Sequence, residues 1–199
     1  MTVRLTALAA LVSLVALTAR AQDHPFKTAA KDDTATYKMK VAVGTLLLEG
    51  TTTQTVVAKT DTKVTVRVTA NFSGMETPPQ DQEIDLTKPY DPTRVGALPQ
   101  GAEAKVEKLK DGKEKLKVGG KEYDTTWTSY KVNAKAAAGA QVIDADLKVW
   151  ESKEAKLGLV KMEMNGKVTS AADPKNAVDT KMSLELTQPE AKPVEPKKE

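Results

Sequence analysis

The ten residues Lys63-Val-Thr-Val-Arg-Val-Thr-Ala-Asn-Phe72 indicate the fold class of this chain. Apolar side chains occupy every second position from Val64 to Phe72, and polar side chains occupy the positions between them. A period of two places the two sets on opposite sides of an extended strand, which is typical of a half-buried antiparallel strand. The stretch therefore predicts a β-strand with one face in a core and the other in water.

The same alternation recurs along most of the sequence. Strands are predicted around it at 37–43, 46–58, 82–86, from about 104 to the Gly119-Gly120 pair, and at 123–135, 143–149, 160–164 and 182–186, and the first three-stranded meander covers 35–72. A large twisted sheet does not stay flat. We therefore expect an all-β fold built as a single strongly curved antiparallel sheet, a half-barrel or open barrel of about nine or ten strands. A β-sandwich is the second choice.

Three glycine-containing pairs predict turns. Gly119-Gly120 predicts a two-residue hairpin, because the residues on either side would then pair favourably. The expected cross-strand pairs are Lys117 with Glu122, Leu116 with Tyr123 and Lys115 with Asp124. Asp111-Gly112 is a second turn signal. Asn165-Gly166 is the third, and it is expected to end one strand before 167–170 continues the hairpin.

The first 21 residues predict export from the cytoplasm. Arg4 precedes an apolar run from Leu5 to Leu17, and Ala19-Arg20-Ala21 has the small residues that signal peptidase recognises. This pattern is typical of a secretory signal peptide cleaved before Gln22. The run is shorter than the roughly 20 apolar residues of a membrane-spanning helix. The expected location is the periplasm or the extracellular space.

The rest of the chain divides into three parts. Residues 22–34 are a polar lead-in, residues 35–188 are expected to form one β-domain, and residues 189–199 have the composition of a disordered tail. Within the domain, residues 73–102 form an irregular connection rich in proline and glycine, of a length that is usually functional or mobile. No stretch after residue 21 is apolar for long enough to anchor the mature chain by a helix.

Composition excludes several classes of function. Without Arg4 and Arg20 the chain has 28 basic and 27 acidic residues, a net charge of +1 with no basic cluster for nucleic acid. The absence of cysteine excludes disulfides, thiolate sites and lipid attachment through a cysteine. The one histidine, His24, is expected to be a flexible residue near the new N-terminus. The sequence thus predicts neither an enzyme nor a cofactor.

Carboxylates are the remaining chemical groups of interest. Asp81, Glu83 and Asp85 would share one strand face and could bind calcium, although an ordinary amphipathic strand explains them equally. Asp144 and Asp146 also share a face, and we expect them to pair with lysines at the surface rather than to act as an acid and a base. Asn71 begins an N-glycosylation pattern that matters only in a eukaryotic secretory pathway.

A candidate apolar-ligand face comes from the methionines and tryptophans. Its predicted members are Met39, Trp127, Trp150, Met162, Met164 and Met182. Methionine adapts to irregular apolar shapes and is favoured on promiscuous binding surfaces. The ligand would be a lipid or an apolar peptide, with the 73–102 connection as a lid. The alternatives are a closed core filled by methionine, and a structural or interaction protein of the cell envelope without a small-molecule ligand.

Three segments carry a resemblance to known proteins. They are Lys117-Val-Gly-Gly-Lys-Glu-Tyr-Asp-Thr-Thr-Trp127, Lys148-Val-Trp-Glu-Ser152 and Leu157-Gly-Leu-Val-Lys-Met-Glu163. They resemble a group of uncharacterised exported bacterial proteins. The order of the predicted elements is also distantly similar to the LolA-like half-barrel carriers of lipoproteins or lipids, which implies one curved sheet with an apolar concave face. The helices that fill that face in the carriers have no clear counterpart here.

Overall fold

The computed structural model describes residues 24–94, 98, 102–136 and 140–187. The signal peptide predicted at 1–21 and the tail predicted at 189–199 lie outside these residues. Ten strands are present: β1 (Thr34–Val43), β2 (Leu46–Lys59), β3 (Lys63–Phe72), β4 (Met75–Glu76), β5 (Gln80–Asp85), β6 (Glu103–Val118), β7 (Lys121–Lys135), β8 (Gln141–Glu151), β9 (Leu159–Ser170) and β10 (Asp173–Leu186). Two short 3-10 turns, Pro25–Lys27 and Pro92–Arg94, complete the described elements.

All ten strands belong to one antiparallel sheet, which is curled but not closed into a barrel. The order across the sheet is β4-β3-β2-β1-β10-β9-β8-β7-β6, and β5 also pairs with β3. The only neighbours on this path that do not follow one another along the chain are β1 and β10, whose register places Met39 opposite Leu184. The predicted all-β class and single curved sheet are confirmed.

The connection after β5 crosses from one edge of the sheet to the other. β5 lies beside β3 near one edge, and the next strand, β6, forms the opposite edge. On the way, Leu86 is buried, and Tyr90 and Leu98 pack against the hydrophobic core. The apolar side chains of this connection thus cover part of the sheet face that the curl turns inward.

One face of the sheet carries the main core, and we call it the inner face. Directly opposed residues share a face of the sheet. In the middle of this face, four residues on neighbouring strands are directly opposed in turn: Met39 on β1, Leu184 on β10, Met162 on β9 and Val149 on β8. These four side chains are between 0% and 7% exposed. The opposite side, which we call the outer face, carries rows of lysine and glutamate such as Lys38, Glu185 and Lys161.

The predicted hairpin at Gly119-Gly120 is confirmed in its register. Lys117 is opposite Glu122, Leu116 is opposite Tyr123, and Lys115 is opposite Asp124. Both glycines have positive φ, at 56° and 82°. Such a backbone is readily accessible to glycine and rarely to other residues, and a tight two-residue turn requires it.

The turns predicted at Asp111-Gly112 and Asn165-Gly166 are wrong, because both pairs lie inside continuous strands. At each site the glycine leaves room for a neighbouring strand. A Cβ at Gly112 would lie 2.8 Å from the indole ring of Trp127, and one at Gly166 would lie 2.3 Å from the carbonyl oxygen of Asp144. Glycine in a strand often marks such a close approach.

Candidate functional site

One end of the inner face is closed by the segment before β1. The Pro25–Lys27 turn places Phe26, which is 1% exposed, in the main core. Asp32 N–H donates to the Val56 carbonyl at 2.8 Å, which ties the segment to β2. A Cβ at Gly158 would lie 2.3 Å from Pro25, so the segment also lies tightly against the β8–β9 turn. We call this region the closed end.

His24 belongs to this closed end, so the expectation of a flexible terminal histidine is wrong. The residue is 4% exposed, and its ring meets Tyr90 edge-on at 5.2 Å between centroids and Phe26 at 5.9 Å. Burial lowers the pKa of His24, the Lys27 cation lowers it further, and Asp85 opposes both effects. The imidazole is therefore held in its neutral form. The neighbouring Phe26 was the available signal, because a buried phenylalanine two residues away anchors the backbone.

Three tyrosines lie near one another inside the curl. Burial raises the pKa of Tyr130 to about 12, and Glu151 contributes in the same direction. Burial and Glu151 also raise the pKa of Tyr90 well above its usual value, and burial raises that of Tyr37. The Tyr37 hydroxyl donates to the Leu159 carbonyl at 3.4 Å. These phenols stay protonated at neutral pH, which suits hydrogen bonding and packing rather than nucleophilic or base chemistry.

Exposure of inner-face residues increases toward the opposite end of β1, β2 and β10. Along β1 it changes from 0% at Tyr37 and 7% at Met39 to 39% at Val43, and along β10 from 1% at Leu184 to 41% at Val178. Across β8 the face remains buried, with Ile143 at 5%. Among the described residues of β1, β10 and β8, the inner face is thus exposed at the end of β1 and β10 near Val43 and Val178.

We call this exposed region the open corner, and its members are Val43, Leu46, Leu48 and Val178. Register pairing places Val43 opposite Leu46, and Val41 between Leu48 and Met182. The four side chains are between 39% and 56% exposed. One feature of the sequence indicates this corner. It is the leucine run at 46–48, where apolar and polar residues no longer alternate.

The four methionines of the predicted ligand face do come together. Met182 lies directly opposite Met164, and Leu184 lies between Met39 and Met162. Met162 is fully buried, and the other three are between 6% and 9% exposed. Through Val41, Met182 connects the open corner with this cluster. The methionines therefore form the floor of the inner face behind the corner.

The two tryptophans of the predicted ligand face lie on the outer face. Trp127 is directly opposite Trp150, while the next residue, Val149, faces inward opposite Met162. Lys148 places its Nζ 4.4 Å from the Trp127 ring centroid and 4.3 Å from that of Trp150. The Trp150 indole N–H donates to the Glu114 carboxylate. This arrangement is a cation–π cluster on the outer face of the sheet, separate from the methionines, in which Trp150 is 5% exposed.

The carboxylates considered for chemistry are held in ion pairs or hydrogen bonds, most of them between neighbouring strands. Arg67 contacts Asp81 and Lys63 contacts Glu83, each at 2.7 Å between β3 and β5, and Asp85 accepts from Thr87. Asp144 and Asp146 pair with Lys131, as expected. Among the described residues, no group of three or more histidine, aspartate or glutamate side chains is arranged to hold a metal ion.

Comparisons with known proteins give structural likeness only. No protein-family model matches the chain, and no curated protein has a significantly similar sequence. A proposed exported protein with a YmcC-like fold from Bacteroides fragilis is 9% identical with a TM-score of 0.44, over 80% of this chain and 97% of that one. A proposed lipoprotein from Parabacteroides distasonis is 13% identical with a TM-score of 0.46, over 83% and 100%. At these values neither protein's properties extend to this chain, and the distant similarity to LolA-like carriers gains no support.

Proposed function

We propose that this protein is exported and binds the acyl chain of a lipid at the open corner, without a catalytic role. The observation that carries the proposal is the exposure of inner-face side chains, which increases toward the same end on β1, β2 and β10. An apolar chain placed against Val43, Leu48 and Val178 would cover surface that the fold itself leaves in water. The methionines behind the corner suit this role, because their side chains adapt to a ligand of variable shape.

The size of the corner limits the affinity. Burial of about ten methylene groups contributes roughly 8 kcal/mol before the cost of immobilising the ligand. We therefore expect a dissociation constant no tighter than about 1 µM for a single-chain fatty acid. The ligand is held by apolar contact, and no specific polar group of the corner is needed to orient it.

The second candidate is a structural or interaction protein of the cell envelope. Its motivation is a sheet edge, since β6 extends over residues 103–118 and no strand of the described residues lies beyond it in the sheet. That edge is rich in lysine, at positions 105, 108, 110, 113, 115 and 117. Natural sheets use such charges to prevent edge-to-edge pairing. The edge therefore favours this candidate less than the open corner favours ligand binding.

Adjacent leucines of β2 provide a matched test of ligand binding. Leu48 faces the open corner, whereas Leu47, opposite Ala42, lies on the outer face. We expect Leu48→Asn to weaken the binding of a fluorescent fatty acid roughly fivefold, since a leucine contact contributes about 1 kcal/mol or more. Leu47→Asn should leave the affinity unchanged. Equal effects of the two substitutions, or no saturable binding by the unaltered protein, would contradict the proposal.

A further inference from the structure

The two edges of the curled sheet carry charged side chains of opposite sign. One edge strand, β6, has lysine at every second position near its end, so these side chains share one face. We call them the lysine row, which consists of Lys113, Lys115 and Lys117. At the other edge, β5 has acidic side chains at every second position. We call them the acidic row, which consists of Asp81, Glu83 and Asp85.

Both rows lie on strands that have an open side. β6 pairs with β7 and β5 pairs with β3, and no strand of the described residues lies on the other side of either. An edge strand leaves backbone N–H and C=O groups without partners in the sheet. The connection from β5 enters β6 at Glu103, whereas the lysine row lies toward the opposite end of that strand. Each row thus accompanies backbone groups that a further strand can pair with.

Each row is backed by opposite charges on the strand behind it. Lys115 contacts two carboxylates of β7, at 3.1 Å and 3.9 Å. Behind the acidic row, two cations of β3 contact Asp81 and Glu83 at 2.7 Å. The row remains the outermost charge at each edge, since the side chain of Lys115 is 68% exposed and that of Glu83 is 60% exposed. Among the described residues, Lys113 and Lys117 form no ion pair.

The charges of the rows determine which edges can pair. Like charges directly opposite each other are destabilising, so the rows oppose the pairing of β6 with β6 or of β5 with β5. The pairing of unlike edges brings opposite charges together instead. We propose that copies of this chain associate head to tail, with the acidic row of one copy pairing with the lysine row of the next so that the sheet continues. The partner is a second copy, selected by the complementary charge of its opposite edge.

One antiparallel register brings all the charges of the two rows together. Its pairs are Lys113 with Asp85, Lys115 with Glu83 and Lys117 with Asp81. The Cβ atoms of directly opposed residues lie about 4.5–5.5 Å apart, which is within reach of an ion pair. A carboxylate that is already bonded to β3 can accept a second cation, because it has about four lone-pair positions. The ion pairs within each copy are therefore retained.

The faces on which the rows lie set the orientation of the two copies. Asp111, which has the phase of the lysine row, is opposite Thr128 and through it in line with Val149 on the inner face. The acidic row is opposite Arg67, whose neighbour Val66 faces the core, so this row lies on the outer face. β5 and β6 run in the same direction within one copy. Turning the next copy over about an axis across the strands reverses its faces and its strand direction together. The rows then meet on one side of an antiparallel pair, which is slightly more stable than a parallel one.

Association of this kind does not close on itself. The two contacting edges differ, so every pair of copies leaves one acidic and one lysine edge free, and an open chain grows. The contact involves only six residues of β5 and exposed ion pairs, and we therefore expect it to be weak and sensitive to salt. The inference goes beyond acyl-chain binding and does not depend on it. It also needs no membrane-spanning element, and the described residues include no helix long and apolar enough to cross a bilayer.

The first test is sedimentation of the processed protein over a wide range of concentration, its N-terminus verified by mass spectrometry. At low salt the average mass should rise continuously with concentration, and at about 0.5 M salt it should return to that of the monomer. Lys113→Glu/Lys117→Glu should weaken association roughly tenfold or more, because two attractive pairs become repulsive. Lys105→Glu/Lys110→Glu changes the net charge equally on the other face of β6, outside the register, and should weaken it much less.

The second test is disulfide formation, which the absence of cysteine from the chain makes specific. Lys115→Cys and Glu83→Cys variants are mixed in equal amounts at low salt under mild oxidation. The mixed dimer should exceed the proportion expected from random pairing, because directly opposed residues lie within disulfide distance. The control mixture of Lys110→Cys with Glu83→Cys should show no such excess.

Four results would overturn the inference. They are a protein that stays monomeric at low salt, equal effects of the two double lysine variants, association that stops at a dimer, and random disulfide pairing. Association that persists at high salt and is lost in Leu48→Asn would assign the contact to the open corner instead. Failure of acyl-chain binding is distinguished by Lys113→Glu/Lys117→Glu, which should weaken association and leave the affinity for a fluorescent fatty acid intact.

Discussion

The neutral imidazole of His24 lies buried among aromatic rings at the closed end, next to one lysine and one aspartate. Because burial lowers its pKa, the folded chain resists protonation at pH values where the unfolded chain has taken up a proton. The unfolded state then binds more protons, and the free energy of unfolding decreases as the pH falls through the ordinary histidine value of about 6.5. The closed end therefore makes stability sensitive to mild acid.

We predict that the free energy of unfolding, measured by urea titration, falls between about pH 7.5 and pH 5.5, near the ordinary pKa of histidine. His24 is the only histidine, so no other side chain has its ordinary pKa in this interval. His24→Phe retains an aromatic ring beside Tyr90 and removes the titration, so its stability should change less over the same interval. A decline of equal size in both proteins would show that His24 is not responsible.

At the scale of elements, close approach between strands decides where glycine is needed. Gly50 lies inside β2, and a Cβ there would lie 2.1 Å from the backbone carbonyl oxygen of Asn71 on β3. A backbone atom cannot rotate away as a side chain can, so a larger residue must separate the two strands. The resulting loss exceeds the gain of about 0.5–1 kcal/mol expected when a strand glycine is replaced by alanine.

We therefore predict that Gly50→Ala lowers the free energy of unfolding by about 2 kcal/mol. Hydrogen exchange should increase most at the β2–β3 amides near the open corner. The control is Thr51→Ala, at the exposed neighbouring position, which should change stability by no more than about 0.5 kcal/mol. An unchanged or higher stability of Gly50→Ala would show that the strands can separate there at little cost.

Close approach between strands also explains which turns could be predicted from sequence. The Gly119-Gly120 hairpin depends on residues that are adjacent in the chain, so its register could be derived from cross-strand charge and size. Gly112 and Gly166 are needed because of Trp127 and Asp144 on neighbouring strands. A local pattern carries no information about these contacts, so the two glycines were interpreted as turns.

At the scale of the whole molecule, the pairing of β1 with β10 and the crossing of the 86–102 connection determine what the sheet encloses. Alternation predicted that Met39, Met162, Met164 and Met182 share the apolar face, because that depends only on strand phase. The tryptophans were assigned to this face by residue type, although Trp150 continues the polar phase of Asp146 and Lys148 and is directly opposite Trp127. The open corner likewise results from which strands the connection and the N-terminal segment cover.

Acyl-chain binding at the open corner can be located by photolabelling with a fatty acid that carries a diazirine on its chain, followed by peptide mass spectrometry. An acyl-chain site at the open corner predicts saturable labelling that unlabelled fatty acid competes away, with adducts within residues 41–48 and 178–182. Adducts concentrated around Trp127 and Trp150 on the outer face, or labelling that does not saturate, would contradict an acyl-chain site at the open corner.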